Sequence, residues 1–73
     1  GSMMPLSIAP RGTTLKIMKT PVDEKVKRHL ANLGILVGAE ITMLNEQAGD
    51  VIVKVKDCKL ALNKQLATRI MVG

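Results

Sequence analysis

Few side chains in this chain could do chemistry, and their spacing keeps them apart. His29 is the only histidine and Cys58 the only cysteine. Ser7 and Cys58 are the small nucleophiles besides the threonines. Nucleophilic catalysis needs a base within hydrogen-bond reach of the nucleophile, and nothing in the spacing couples Ser7 or Cys58 to His29. A zinc centre needs three or four converging nitrogen, sulfur or carboxylate ligands, and neither His29 nor Cys58 has a companion of its own kind. An oxygen-only set would draw on Glu40, Glu46, Asp50 and Asp57, which fall at outward-facing or turn positions. A phosphate-binding loop needs a glycine-rich turn with lysine before a helix, whereas Ile17-Met18-Lys19-Thr20 precedes Pro21. No catalytic residue, no cofactor and no native metal site is expected. Cys58, in a hairpin turn, would be open only to adventitious zinc or to cross-linking in air. The chain reads as a binding or regulatory module and not as an enzyme.

The elements that would position these residues are short. Val22, Val26, Leu30 and Leu33 follow the i, i+4, i+8, i+11 spacing of one helical stripe, with Lys25, Lys27, Arg28 and Asn32 off it. The spacing predicts a helix over Pro21 to Leu33, with Thr20 as N-cap, Pro21 in the first position and Gly34 ending it. Before it, Thr13 to Lys19 alternates as a half-buried strand with Leu15 and Ile17 on one face. After it, Gly38 opens a strand that points Ala39, Ile41 and Met43 inward. Gln47-Ala48-Gly49-Asp50 is a turn in which Gly49 takes positive φ. Val51, Val53 and Val55 then face inward from a strand over Val51 to Lys56. A reversal at Asp57 and Cys58 leads into Lys59 to Leu62, with Leu60 and Leu62 inward. Asn63 to Leu66 forms a helical turn, and Ala67 to Val72 closes the sheet. Five short strands in so small a chain imply a closed or nearly closed barrel, because closure removes edges.

Composition bounds the partners. The chain has 73 residues, 47% of them apolar, enough for one small folded domain. A lone cysteine forbids an internal disulfide, and no apolar run approaches the ~20 residues of a membrane span. Gly1 and Ser2 before Met3 look like a tag-cleavage scar, leaving residues 3–73 as a single domain, expected in the cytoplasm. Phe, Trp and Tyr are all absent, so base stacking and polyproline grooves are excluded as binding modes. A net charge of +5 favours acidic partners, anionic membrane surfaces or nucleic acid. Only Lys25, Lys27 and Arg28 group tightly, however. No nucleic-acid partner is expected, since the other basic residues are dispersed and no room exists for a helix-turn-helix.

The turn Ile35-Leu36-Val37 is the strongest docking signal. Three apolar residues between two glycines cannot all enter a core this small, and each aliphatic side chain left in water forgoes about 1.5–3 kcal/mol. Either Leu36 folds back under the helix, or Ile35 or Leu36 is an apolar knob rimmed by Lys25 and Arg28, a common interface pattern. Met3 and Met4 are terminal, and Met18, Met43 and Met71 fill core gaps in strands. Met18, on the outward face of its strand, is also a candidate contact.

These residues resemble the FeoA family, small proteins of bacterial ferrous iron transport. The same small SH3-like barrel occurs at the C-terminus of iron-dependent repressors. The resemblance rests on Pro5-Leu6-Ser7 with Pro10 and Gly12, LANLGILVGAEI at 30–41, Gly49-Asp50, and LALNKQLATRIMV at 60–72. Leu30, Leu33, Gly34, Gly38 and Gly49 are its structural positions. Val37 stands where the family often has proline. Asn63 stands where glycine is common and can take the same left-handed backbone. The resemblance implies a mainly β fold, a five-stranded SH3-like barrel with one inserted helix. It also implies an accessory to the membrane transporter FeoB, whose cytoplasmic portion hydrolyses GTP. Family descriptions attach transition-metal binding as well. The expected role is to bind that cytoplasmic portion and modulate its GTP hydrolysis or assembly, meeting the membrane only through the transporter. The alternative is an SH3-like regulatory module of an iron-dependent repressor system, or a basic nucleic-acid-associated domain.

Overall fold

The alternating segments between Thr14 and Asn63 become sheet, and capping side chains decide where the helices start. The computed structural model describes residues 2–73; Gly1 of the expected scar lies outside them. The elements run β1 (Met4–Pro5), a 3-10 turn (Leu6–Ile8), β2 (Thr14–Lys19), α1 (Glu24–Asn32), β3 (Glu40–Gln47), β4 (Asp50–Val55), β5 (Cys58–Asn63), α2 (Lys64–Thr68) and β6 (Met71–Val72). All strands are antiparallel in one sheet of order β1-β6-β2-β3-β4-β5. The first half of β2 pairs with β3, while Ile17 and Lys19 pair with β6 across a register shift. Such a bulge bends the strand and lets one sheet wrap a core. Leu6, Ile17, Leu30, Ile35, Ile41, Val51, Val53, Ile70 and Val72 fill that core. No helix among the described residues is long and apolar enough to cross a membrane.

The mainly β, SH3-like fold with one substantial helix is as expected; closure is not. Six strands form the sheet instead of five, and β1 and β5 remain unpaired with each other at its two edges. Asn63 shortens the last strand. It stands at φ −54°, not in the left-handed region, and its Oδ1 accepts from the Gln65 and Leu66 amides at 2.7 and 3.4 Å. That cap ends β5 and starts α2, so Ala67 is helical and only Met71–Val72 is left as strand. The start of α1 shifts for the same reason. Asp23, not Thr20, is the N-cap, its Oδ1 accepting from the Lys25 and Val26 amides at 2.9 and 3.2 Å. Val22 precedes the cap, leaves the apolar stripe and is 90% exposed.

The β3–β4 hairpin carries a strained residue. Gly49 has the positive φ expected of it, 85°, but Ala48 is also left-handed at 51°. Two consecutive positive φ values between the paired Gln47 and Asp50 make a type I′ turn, which favours Asn-Gly. Alanine's Cβ costs about 1–2 kcal/mol in that conformation, and asparagine tolerates it better. Ala48→Asn should therefore raise the calorimetric Tm by about 2–8 °C, the shift that ~0.5–1 kcal/mol gives a domain of this size. An unchanged or lower Tm would contradict the turn geometry.

Candidate functional site

The site is made by the way α1 ends. Leu33 is the C-cap and Gly34 follows at φ 89°. The Gly34 amide donates to the Ala31 carbonyl at 2.9 Å, and the Ile35 amide to the Leu30 carbonyl at 2.8 Å. These two bonds define the Schellman motif, which lays the residue after the glycine against the helix's last apolar turn. Ile35 is accordingly in the core, 1% exposed. A Cβ on Gly34 would come within 3.2 Å of Val55 Cγ1, so space as well as backbone demands glycine there.

A second turn follows at once. The Ala39 amide donates to the Leu36 carbonyl at 3.0 Å, with Gly38 at φ 93° in the third position, the mark of a type II turn. The Gly38 amide donates to the Ile17 carbonyl at 2.8 Å, pinning the turn to β2. Held at both ends, the turn leaves Leu36 and Val37 49% and 60% exposed. Beside them opens a cavity of about 340 Å3 lined by Thr20, Lys27, Ala31, Ile35, Leu36 and Val37. Lys27 and Ala31 are one helical turn apart and so share a side of α1. The arrangement offers an apolar floor, two exposed aliphatic side chains and one ammonium group, suited to an apolar side chain flanked by an acid.

The expected docking residues divide. Leu36 lies in the hollow. Ile35 is not an exposed knob but part of the floor, because the Schellman bond turns it inward. Lys25 and Arg28 are exposed on α1 but line no part of the hollow, and Lys27 takes the basic place instead. Met18 is 43% exposed but stands elsewhere, its Cγ 3.5 Å from where a Cβ on Gly73 would be. Val37, Thr20 and Ala31 were not singled out for docking; the i, i+4 relation of Lys27 to Ala31 was the available signal. Of the structural positions, Leu30 is fully buried, Leu33 half-buried, and Gly34, Gly38 and Gly49 all have positive φ.

His29 and Cys58 are exposed, on α1 and at the start of β5. Among the described residues no three His, Cys, Asp or Glu side chains gather at one point. Titration of the reduced protein with zinc or ferrous iron should give only weak binding; a one-to-one submicromolar complex abolished at His29 or Cys58 would overturn that expectation. Ser7 is buried, 3.0 Å from Thr68 Oγ1. Thr68 gives its own proton to the Lys64 carbonyl at 2.9 Å, so the Ser7 hydroxyl donates to it and ties the 3-10 turn to α2.

A family model described as the FeoA domain matches residues 4–73. The chain belongs to the FeoA domain family. This FeoA domain is 30% identical over 70 residues to a Methanocaldococcus jannaschii protein provisionally named Fe(2+) transport protein A, covering 96% of this chain and 85% of that one. A crystal structure of an iron uptake regulatory protein (FeoA) superposes with a TM-score of 0.86 at 29% identity, over 99% of this chain and 96% of that one. A manganese-dependent transcriptional repressor gives 0.83 at 22% identity, over 96% of the FeoA domain and 40% of the repressor, a likeness of fold alone.

Proposed function

We propose that this chain is a cytoplasmic accessory of ferrous iron transport that binds the cytoplasmic, GTP-hydrolysing portion of FeoB and modulates its GTP hydrolysis or assembly. Membership of the FeoA family supports the transport role. The observation that carries the docking site is the pair Leu36 and Val37, held out of the core by two glycine turns beside Lys27. About half exposed, each forgoes roughly half of the ~1.5–3 kcal/mol that full burial gives, and a partner's surface would recover it. On this reading the chain acts through binding, with buried Ser7 hydrogen-bonded to Thr68 as a structural tie. The test is a binding titration against the purified cytoplasmic portion of FeoB, with and without GTP, followed by GTP turnover of the mixture. A saturable complex and an altered turnover are expected. No complex in either nucleotide state would reject the proposal.

A further inference from the structure

We propose that the outward face of the β2–β5 sheet is a docking surface for the anionic headgroups of a lipid bilayer. Strand pairing builds this face in two rows. Thr14 lies opposite Thr42, Thr42 opposite Lys54, and Lys54 opposite Lys59. Residues directly opposite in an antiparallel sheet project from the same face. A second row sets Lys16 opposite Glu40, and Lys56 joins Glu40, Thr14, Thr42 and Lys54 around a shallow cavity of about 180 Å3. The alternate residues Ile41 and Val53 are buried, with Leu15 and Leu60 packed against the core, so the rows point away from it.

Four exposed ammonium groups thus share one face with two carboxylates, Glu40 beside them and Asp50 at the far end of β4. Asp57 lies in the adjoining turn. None of these lysines is in an ion pair: Lys64–Glu46 at 3.7 Å is the sole one among the described residues. The two threonine hydroxyls at the centre bond each other at 2.9 Å.

What the face lacks selects its occupant. The exposed large apolar residues are Met3, Ile8, Met18, Val22, Leu36 and Val37, and none belongs to these rows; beside them Ile52, on the same face of β4, is half-buried. A protein interface needs an apolar centre, and single-stranded nucleic acid needs aromatic platforms, absent from the whole chain. A fluid layer of lipid phosphates needs neither, since its charges move to meet the lysines. Each lysine brought to such a surface raises partitioning about fivefold. The lysine face and the hollow share no lining residue. Direct membrane contact then replaces the indirect contact expected from the sequence.

The proposal rests on the transport assignment for one point only, that the chain works beside a membrane. The test is flotation of the full chain, without FeoB, on vesicles of phosphatidylglycerol and phosphatidylcholine or of phosphatidylcholine alone. Binding is expected on the anionic vesicles only, and should be lost at about 0.5 M salt, where screening is strong. Lys54→Glu with Lys56→Glu should weaken it about twenty-fivefold or more, while Lys25→Glu with Arg28→Glu on the helix changes it severalfold less. If the sheet variant does not fold, Lys54→Gln with Lys56→Gln replaces it, with the same ranking expected. Equal losses from sheet and helix variants would overturn the proposal in favour of net charge alone. Absent vesicle binding, or tighter binding to duplex DNA at the same salt, would also overturn it. No vesicle contains the transporter, so failure here leaves the FeoB complex standing, and the reverse holds too.

Discussion

Ile35→Asp should abolish cooperative folding. Ile35 is 1% exposed and seated against Leu30 by the Schellman bond, so a carboxylate there loses the apolar core contacts, with Lys27 across the hollow the one cation lining that cavity. Burying an uncompensated charge costs several kcal/mol. A domain of 73 residues has only about 4–11 kcal/mol to lose, at ~0.05–0.15 kcal/mol per residue. The conservative Ile35→Val should cost about 0.5–1.5 kcal/mol and keep a sharp transition. Leu30→Ala, at the same contact, should cost about 2–5 kcal/mol, more than the half-buried Leu33→Ala. Thermal melts followed by circular dichroism decide the matter. A cooperative Ile35→Asp transition within a few degrees of the parent would show that this residue is not in the core.

Leu36→Asp should do the opposite: leave the melt nearly unchanged and weaken binding to the cytoplasmic portion of FeoB. Its side chain is half exposed, and the turn that presents it is held by backbone bonds that the substitution does not touch. Truncating an anchor at an interface centre typically costs ~2 kcal/mol or more, about thirtyfold in affinity. Lys27→Glu at the rim should act on rate instead, slowing association chiefly at low salt. Calorimetric titration of the three proteins separates these effects. If Leu36→Asp binds like the parent, the hollow is not the interface.

The contrast between neighbours Ile35 and Leu36 shows what was legible in the chain. A glycine-bounded apolar turn after a helix was visible, and so was the conclusion that its residues could not all be buried. Which one goes inside follows from the Schellman pattern, where the residue after the left-handed glycine meets the last apolar turn. Gly34 followed by Ile35 carried that signal, and Ile35 was nonetheless placed among the candidate knobs. The basic rim expected at Lys25 and Arg28 does not line the hollow, for a related reason. Periodicity separates the buried face of a helix from the rest, but only docking shows which flank borders a neighbouring turn. That flank is Lys27 and Ala31.

Caps account for the remaining differences. Asp23 and Asn63 each accept two amide bonds, and each moved an element boundary that apolar periodicity had put elsewhere. The boundary at Asn63 left β6 two residues long.

By itself the sequence determined the sheet-rich class, the buried alternation of Val51, Val53 and Val55, the helix face centred on Leu30, and the need for glycine at 34, 38 and 49. These are local matters of side-chain period and backbone sterics, and they hold wherever the segment finds itself. Tertiary structure decided that Lys59 joins the outward-facing Lys16, Lys54 and Lys56, and that Leu36 and Val37 stand beside Lys27. Those groupings depend on strand register and on the docking of α1, which join residues far apart in the chain and leave no periodic trace along it.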